Sequence, residues 1–287
     1  MRIAVLLTCF NRKAKTLESL SSVHKALEET SETITLDIYL TDDGSTDGTS
    51  EAVKAAYPQV NILQGTGSLY WAGGMRNSWT EALKKEYDFY FLLNDDTNVY
   101  PNLFNEFINT EAYCLKNYQQ QGIYIGSTLD QLSQKISYGG NVFINKFLGT
   151  AKKVMPNQES PQDCELGNAN IMFVHSSVVD KIGILHESFL HGLADFDYTL
   201  MAIKKDIPVL IMPNYIGECT NDNKNPYDTF HTLSLKKRIE VLNSPIGLDF
   251  KSNLKYMQRN FPLRFPMVYF AGWFKVVFPK VYRRRFN

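Results

Sequence analysis

Two acidic clusters in this sequence have residue types and spacing suited to chemistry. Asp42 and Asp43 lie in TDDGSTDGT, residues 41–49, and Asp95 and Asp96 follow Asn94 in FLLNDDT. Adjacent carboxylates repel, and neither pair has a basic residue close in sequence. Each therefore invites a divalent cation or a ligand rich in hydrogen-bond donors. TDDGSTDGT also reads as a turn followed by a helix cap, since Asp, Gly and Ser are favoured in both roles. A third acidic pair, Asp195 and Asp197, opens a helical stretch.

The elements that must position these clusters are legible from hydrophobic period. Short β-branched runs (Ile3–Leu7, Ile34–Leu40, Val60–Leu63, Phe89–Leu93) alternate with helix-period stretches (Ala14–Glu29, Thr49–Tyr57, Ala72–Glu86). That rhythm predicts βαβ units and an α/β fold with a mainly parallel sheet. In such sheets ligands collect at the carboxyl ends of strands. Asp42 and Asp43 follow one predicted strand, and Asn94, Asp95 and Asp96 follow another. Ser45, Thr46 and Asp47 supply N-cap chemistry for the second helix. Further on, the pattern predicts a helix over Tyr100–Asn117, a strand over Ile123–Ile125, loops and short strands over Ser127–Cys164 and a strand over Ala169–Val174. Helices over Ser176–Lys181 and Asp195–Lys205 follow, then a strand over Val209–Met212. A polar loop over Asn221–Asp228 and a helical stretch over Ser234–Asn260 come after Pro213.

The chain has 287 residues, with 30 Lys and Arg against 30 Asp and Glu. That balance argues against a surface built as a whole for nucleic acid. Cys9, Cys114, Cys164 and Cys219 are far apart and form no CxxC pair, so neither a zinc site nor a disulfide framework is expected. A short apolar run at the N-terminus and the lack of an apolar stretch of about 20 residues predict no cleaved signal and no membrane span. A reducing, cytoplasmic setting follows as the expectation.

Taken together, LLTCFNR, LTDDGSTDGT, GSLYWAGGMRNSW, FLLNDDT and GNANIMFVHSSVVDKIGILHESFLHGLADFDYTL resemble the inverting glycosyltransferases of family two, which have the GT-A nucleotide-diphospho-sugar fold. The resemblance covers roughly residues 2–213. YWAGGMRN is similar to the branch that builds bacterial surface polysaccharides, rhamnosyltransferase-like members included. The resemblance implies a nucleotide pocket with Thr8, Asn11 and Arg12, and with Asp43 on the base or ribose. It sets Gly73, Gly74 and Arg76 beneath the donor, with Arg76 reaching a phosphate. Tyr70 and Trp71 read either as stacking or as packing residues. NDDT stands where the family has its DxD motif, which holds Mg2+ or Mn2+ against the diphosphate. Asp96 is then the leading metal ligand and Asp95 the second, with Asn94 near the donor sugar. His231 is a further candidate at the metal or pyrophosphate. The family's ED pair falls on Ala194 and Asp195. The Glu is missing, and Asp195 becomes the base that takes the acceptor's proton. Asp197 is assigned to capping or to holding basic neighbours, and becomes the base only if the motif is shifted by two; His191, which could meet the acceptor or orient Asp195, is assigned to packing or surface.

The implied partners are a UDP- or dTDP-sugar donor and a saccharide or lipid-linked acceptor. The expected organisation is a catalytic domain over residues 1–215, with a nucleotide half to about residue 98, and an extension over 216–287. That extension ends in FPLRFPMVYFAGWFKVVFPKVYRRRFN, dense in aromatic and basic residues. Such composition suits a membrane headgroup interface or a helix docked on the catalytic domain. Two rivals remain. A sugar-nucleotide pyrophosphorylase of related fold would carry a glycine-rich N-terminal loop, which TCFNRKAK lacks. A non-catalytic carbohydrate-binding relative is consistent with the missing Glu.

Overall fold

The computed structural model describes residues 1–30, 32–220 and 227–286. The first half alternates strand and helix: β1 (Arg2–Cys9), α1 (Lys13–Glu28), β2 (Thr35–Asp42), α2 (Thr49–Ala56), β3 (Asn61–Gln64), α3 (Tyr70–Ala82) and β4 (Phe89–Leu93). The period-two logic of a strand sorts β1 between two cores. Ala4 and Leu6 join the cluster under α3, whereas Ile3, Val5 and Leu7 join the cluster with Leu20, Val23 and Val53 of α1 and α2. Helix α1 buries Thr16, Ser19, Leu20, Val23 and Ala26, a three-to-four spacing that gives it one inward face.

The chain continues through β5 (Asn98–Val99), α4 (Leu103–Tyr118), β6 (Ile123–Leu129), β7 (Gly140–Asn145), β8 (Thr150–Val154), β9 (Gln162–Asp163), β10 (Leu166–Gly167), β11 (Ile171–His175), α5 (Ser176–Ile182), α6 (Ala194–Ile203) and β12 (Val209–Glu218). Among the described residues the main sheet runs β3-β2-β1-β4-β11-β6-β12-β5, with β9 beside β12. Pairs β3-β2, β2-β1, β1-β4 and β6-β12 are parallel, while β11 runs against both β4 and β6. The reversal matters for the site. One edge of the sheet gathers the carboxyl ends of β1, β2, β4, β6 and β12 together with the amino end of β11.

Several boundaries differ from the sequence reading. Helix α3 starts two residues early, at Tyr70. Helix α2 is entered through Gly48 at φ 78 rather than through a side-chain cap, though Asp47 Oδ1 accepts from Thr49 N at 3.1 Å. Residues 127–164 hold more strand than expected. Strands β7 and β8 pair antiparallel and, with β10, form a separate three-stranded sheet. One face of that hairpin is open to water, so its sequence reads as polar. Strand β12 runs past Pro213 to Glu218, with irregular register between Ile211 and Tyr215. Proline cannot donate to a ladder, and the strand absorbs it as an irregularity instead of ending.

The C-terminal part holds α7 (Tyr227–Phe230), α8 (Leu235–Asn243), α9 (Phe250–Asn260), a 3-10 turn (Pro262–Arg264), α10 (Phe265–Val277) and α11 (Pro279–Phe286). The single helical stretch expected over Ser234–Asn260 is broken at Ser244–Asp249, where Pro245 and Gly247 cannot sustain a helix. Of the expected loop Asn221–Asp228, residues 221–226 lie outside the described residues. Phe230, Leu242, Phe250 and Val276 form a small core of their own. The unit is fixed to the catalytic side by Arg259, whose Nε donates to both oxygens of buried Asp197 at 3.0 and 3.1 Å, and by Asn260 Nδ2, which donates to Asp197 Oδ1 at 2.7 Å. The sequence had left Asp197 between capping and holding a basic neighbour, and here it holds one. No described helix is long and apolar enough to cross a membrane.

Candidate active site

The carboxyl edge of the sheet encloses a cavity of about 520 Å3. Seven residues anticipated from sequence line it: Thr8, Arg12, Asp43, Asn94, Asp95, Asp96 and Asp195. Asn11, Gly73, Gly74, Arg76 and His231 are not on its wall.

The two carboxylates of TDDGST turn in opposite directions. Asp42 accepts from Ser45 N at 2.7 Å and from the Ser50 hydroxyl, closing the β2–α2 loop. Asp43 accepts from three backbone N–H groups: Gly67 at 2.8 Å, Leu69 at 2.8 Å and Tyr70 at 3.0 Å. These are donors at the start of α3, which have no partner inside a helix and sit at its positive end. The repulsion between Asp42 and Asp43 is thus answered by the protein's own donors. Asp43 organises the α3 entry while still facing the cavity. Asn11 is a clamp between loops, its N donating to Ser45 Oγ at 2.9 Å and its Oδ1 accepting from Thr46 N at 2.7 Å.

The second glycine of the α3 motif, Gly74, has a steric reason. A Cβ there would collide with the Oγ1 and Cβ of Thr8. The bare backbone therefore lets β1 and α3 close up behind the cavity wall. Arg76, expected at a phosphate, instead points its Nη1 at the carbonyl oxygens of His186 and Phe189, at 3.1 and 2.6 Å. Together with the Ala72 N–H, which donates to Leu190 O at 2.9 Å, it pins the segment leading to His191 and α6.

The NDD loop is held from three sides. Ser19 Oγ of α1 donates to Thr97 O at 2.8 Å. Asn94 N donates to Asn170 O at 3.2 Å, and Trp71 Nε1 donates to Asn94 Oδ1 at 2.7 Å. Trp71 is therefore both a wall residue and the support of Asn94. Arg12 Nη1 lies 2.5 Å from Asp96 Oδ2 and 3.3 Å from Asp95 Oδ1. Asp95 is buried and also accepts from Thr16 Oγ1 at 3.4 Å. Burial, with the neighbouring Asp96 charge, pushes its pKa up to about 7 against the opposing pull of Arg12. The Cys219 thiol approaches Asp96 Oδ1 at 3.6 Å, and burial beside that carboxylate pushes Cys219 up to about 12, which keeps it a thiol at neutral pH.

Asp195 stands at the first turn of α6 and lines the same cavity as the NDD loop. Its Oδ2 accepts from Asn168 Nδ2 and Ala169 N, both at 3.3 Å, and its Oδ1 accepts from Phe196 N at 2.9 Å. Burial raises its pKa above the usual carboxylate range, and those hydrogen bonds hold the rise back. The connection from β10 into the reversed β11 supplies Asn168 and Ala169, which explains how GNAN comes to serve the site.

Asn168, Asn170, Tyr138 and His191 also line the cavity, although none of them was among the site residues expected from sequence. Asn168 and Asn170 were visible within the GNAN motif. Tyr138 lay in a segment read as loop. His191 sits 6.5 Å, centroid to centroid, from the Tyr70 ring in an edge-on arrangement, and burial lowers its pKa.

The acidic pair can be tested against a divalent cation on its own donor chemistry. Asp95 and Asp96 offer hard oxygens, but no group of three or more His, Cys, Asp or Glu suited to a metal occurs among the described residues. Arg12 also lies on both carboxylates. Two carboxylates suit a cation that takes its remaining ligands from phosphate and water, which is how Mg2+ is commonly held. The residues fit a cation that arrives with a diphosphate, and not one caged by protein alone.

Known proteins give the family and the fold. A sequence model of the family described as glycosyl transferase family 2 matches residues 4–148. A search of curated protein sequences found no match. Among similar solved structures, S. aureus TarS 1–349 in complex with UDP is 14% identical with a TM-score of 0.52, and the match covers 91% of this chain and 72% of that one. The same protein in complex with UDP-GlcNAc is 12% identical with a TM-score of 0.50, over 91% and 73%. Mannosyltransferase PcManGT from Pyrobaculum calidifontis, in complex with GDP-Man and Mn2+, is 11% identical with a TM-score of 0.52, over 94% and 73%. At these identities the structures show the shared fold.

Proposed function

Since this chain belongs to glycosyl transferase family 2, we propose that it transfers a sugar, with inversion, from a UDP- or dTDP-sugar to a hydroxyl of a saccharide or lipid-linked saccharide in surface polysaccharide synthesis. The observation that carries the reading is that Asp96, after β4, and Asp195, on α6, line one cavity. In this reading the first carboxylate serves the diphosphate and the second the acceptor. The UDP, UDP-GlcNAc and GDP-Man complexes of the similar structures support a nucleotide-sugar donor.

Asp195 removes the acceptor's proton as the acceptor oxygen bonds to C1 and the C1–O bond to the nucleoside diphosphate breaks, the bonding pair leaving with the diphosphate. One displacement inverts C1. A raised pKa makes this carboxylate a stronger base than an exposed aspartate, and the hydroxyl becomes more acidic as its bond to carbon forms. Asn168 and the Ala169 N–H hold Asp195 in place. Trp71 sets Asn94 toward the donor, and Arg12 supplies fixed positive charge beside the diphosphate position. Mg2+ or Mn2+, held by Asp96 with Asp95, would neutralise charge on the leaving group.

The test is a panel of nucleotide sugars with and without Mg2+ or Mn2+, using wild type, Asp96→Ala and Asp195→Asn. Asp96→Ala is expected to weaken metal-dependent donor binding. Asp195→Asn is expected to bind donor and lose transfer by roughly 10²- to 10⁴-fold, the range for a general base. Full transfer by Asp195→Asn would remove the base from the proposal. Consumption of nucleoside triphosphate with sugar phosphate would replace the transferase by a pyrophosphorylase, and binding of saccharide without any transfer by wild type would favour a non-catalytic relative. A lipid-linked acceptor further implies work at the inner face of a membrane.

A further inference from the structure

The balanced charge of the whole chain conceals a separation. Residues 250–287 contain nine Lys or Arg and no Asp or Glu. Against 30 basic and 30 acidic residues overall, the first 249 residues carry an equal excess of negative charge. The positive end is also the apolar end.

Helix α10 is apolar on all sides, a composition expected of a buried helix. Only one of its faces is covered. Val268 packs against the catalytic core, and Gly272 and Val276 are buried, Gly272 lying directly on the Phe250 ring. At about 100° per residue the opposite face is Met267, Phe270, Phe274 and Val277, and all four are exposed, Phe270 at 70%. Leu263 before the helix (86% exposed) and Val281 after it (54%) extend the same line. A contiguous apolar surface of this kind marks an interaction site. Lys280 follows it, Lys275 lies on α10 itself, and three further arginines follow in sequence, while the Arg264 guanidinium turns inward against Gly149.

We propose that the outer face of α10, continued by Lys280 and Val281, is a docking surface for an anionic lipid bilayer, with the aromatic and aliphatic stripe at the acyl boundary and the basic residues on the headgroups. A two-fold contact of this surface with the same surface of a second copy would set like charges together, because residues 250–287 contain no acidic group. The catalytic side of the chain, with its net negative charge, is repelled by such a bilayer, so the two halves together set an orientation. Docking also bears on the active site. Ile246, in the α8–α9 connection of the same unit, lines the cavity. The Arg259–Asp197 pair ties that unit to α6, the helix that begins with Asp195. The surface deepens the lipid-linked reading of the acceptor and rests on it for its purpose. Binding is nevertheless measured without donor or acceptor, so the two ideas fail separately.

The experiment is co-sedimentation of the full chain with phosphatidylcholine vesicles, with and without phosphatidylglycerol, at low and high salt. It uses wild type, Phe270→Glu/Phe274→Glu, and Lys275→Glu/Lys280→Glu. Light scattering and nucleotide-sugar binding are followed in parallel to confirm assembly state and folding. Wild type is expected to bind vesicles containing phosphatidylglycerol, with salt weakening the binding. Each double variant is expected to lose roughly tenfold or more while still binding nucleotide sugar, as apolar and electrostatic contributions of this size imply. The proposal is overturned if wild type ignores anionic vesicles or if both variants bind as wild type does. It is equally overturned if wild type is a dimer that Phe270→Glu/Phe274→Glu dissociates with no change in vesicle binding.

Discussion

Arg12 Nη1 lies 2.5 Å from Asp96 Oδ2, joining residues 84 positions apart in the chain. The acidic pair that lacks a basic neighbour in sequence has one in space, delivered by the turn after β1. Arg12 stays firmly charged there, since the pull of Asp95 and Asp96 outweighs its own burial. It lies on the same two carboxylates that the proposed divalent cation would need, so the two cations would compete unless a diphosphate takes up the arginine.

Replacing Arg12 by Ala is therefore expected to tighten Mn2+ binding in the absence of donor and to weaken nucleoside diphosphate binding. The side chain is half exposed, so solvent screening limits each effect to about 1.4 kcal/mol, a factor of about ten. Paramagnetic titration of Mn2+ and calorimetry with UDP measure the two arms. A parallel loss of both affinities would show that Arg12 supports the metal instead of opposing it.

Asp95 ties folding stability to pH. Its folded pKa, about 7, lies above the value for an unfolded chain. Between the ordinary carboxylate range and about pH 7 the native state therefore binds more protons than the unfolded state, and stability falls as pH rises through that window. Thermal melting of the donor-free protein is expected to follow this direction, and Asp95→Asn to flatten it. An unchanged slope in the variant would assign the dependence to another group.

For catalysis the sign is the reverse. Asp195 must be deprotonated to act as base, and its pKa is raised by burial. With a good donor, kcat/KM is expected to fall as pH drops through a value above the usual carboxylate pKa of about 3.9. Opening the wall with Asn168→Ala removes a hydrogen bond to the charged form, which moves that limb to higher pH. A limb that stays in place would mean that Asn168 does not touch the titrating group.

Asp197 is 2% exposed and accepts from Arg259 and Asn260. Asp197→Ala leaves the Arg259 guanidinium without its partner at the joint between α6 and α9. The expected cost is about 3 kcal/mol, in the range for breaking a buried pair. Urea unfolding measures it, and limited proteolysis between α8 and α10 reports whether the C-terminal helices loosen first.

Gly74→Ala drives a methyl into Thr8. The expected result is weaker donor binding through displacement of the cavity wall, with the Arg76 contacts to His186 and Phe189 intact. Gly74→Ala combined with Thr8→Ala, which removes the Oγ1 that the new methyl meets first, should cost less relative to Thr8→Ala alone than Gly74→Ala costs relative to wild type. An equal loss in both backgrounds would separate Gly74 from Thr8.

Much of this molecule was determined by its sequence alone. Alternating β-branched runs and helical periods settle the α/β class, because burial on both faces of a strand and one face of a helix leaves a period that composition cannot hide. The same pattern puts Asp43 and the NDD loop at strand ends, and the quoted motifs carry the family. Partners across long sequence separations were decided only by tertiary structure. Nothing near Asp96 announced Arg12, and nothing near Arg76 announced the carbonyls of His186 and Phe189 that hold it away from the cavity. The reversal of β11, which brings Asn168 to Asp195, depends on pairing with both β4 and β6. Likewise, the apolar tail did not reveal which of its faces would be covered. Local sequence fixes a residue's element and facing, whereas charge pairing and packing act through space, and only the folded chain sets those distances.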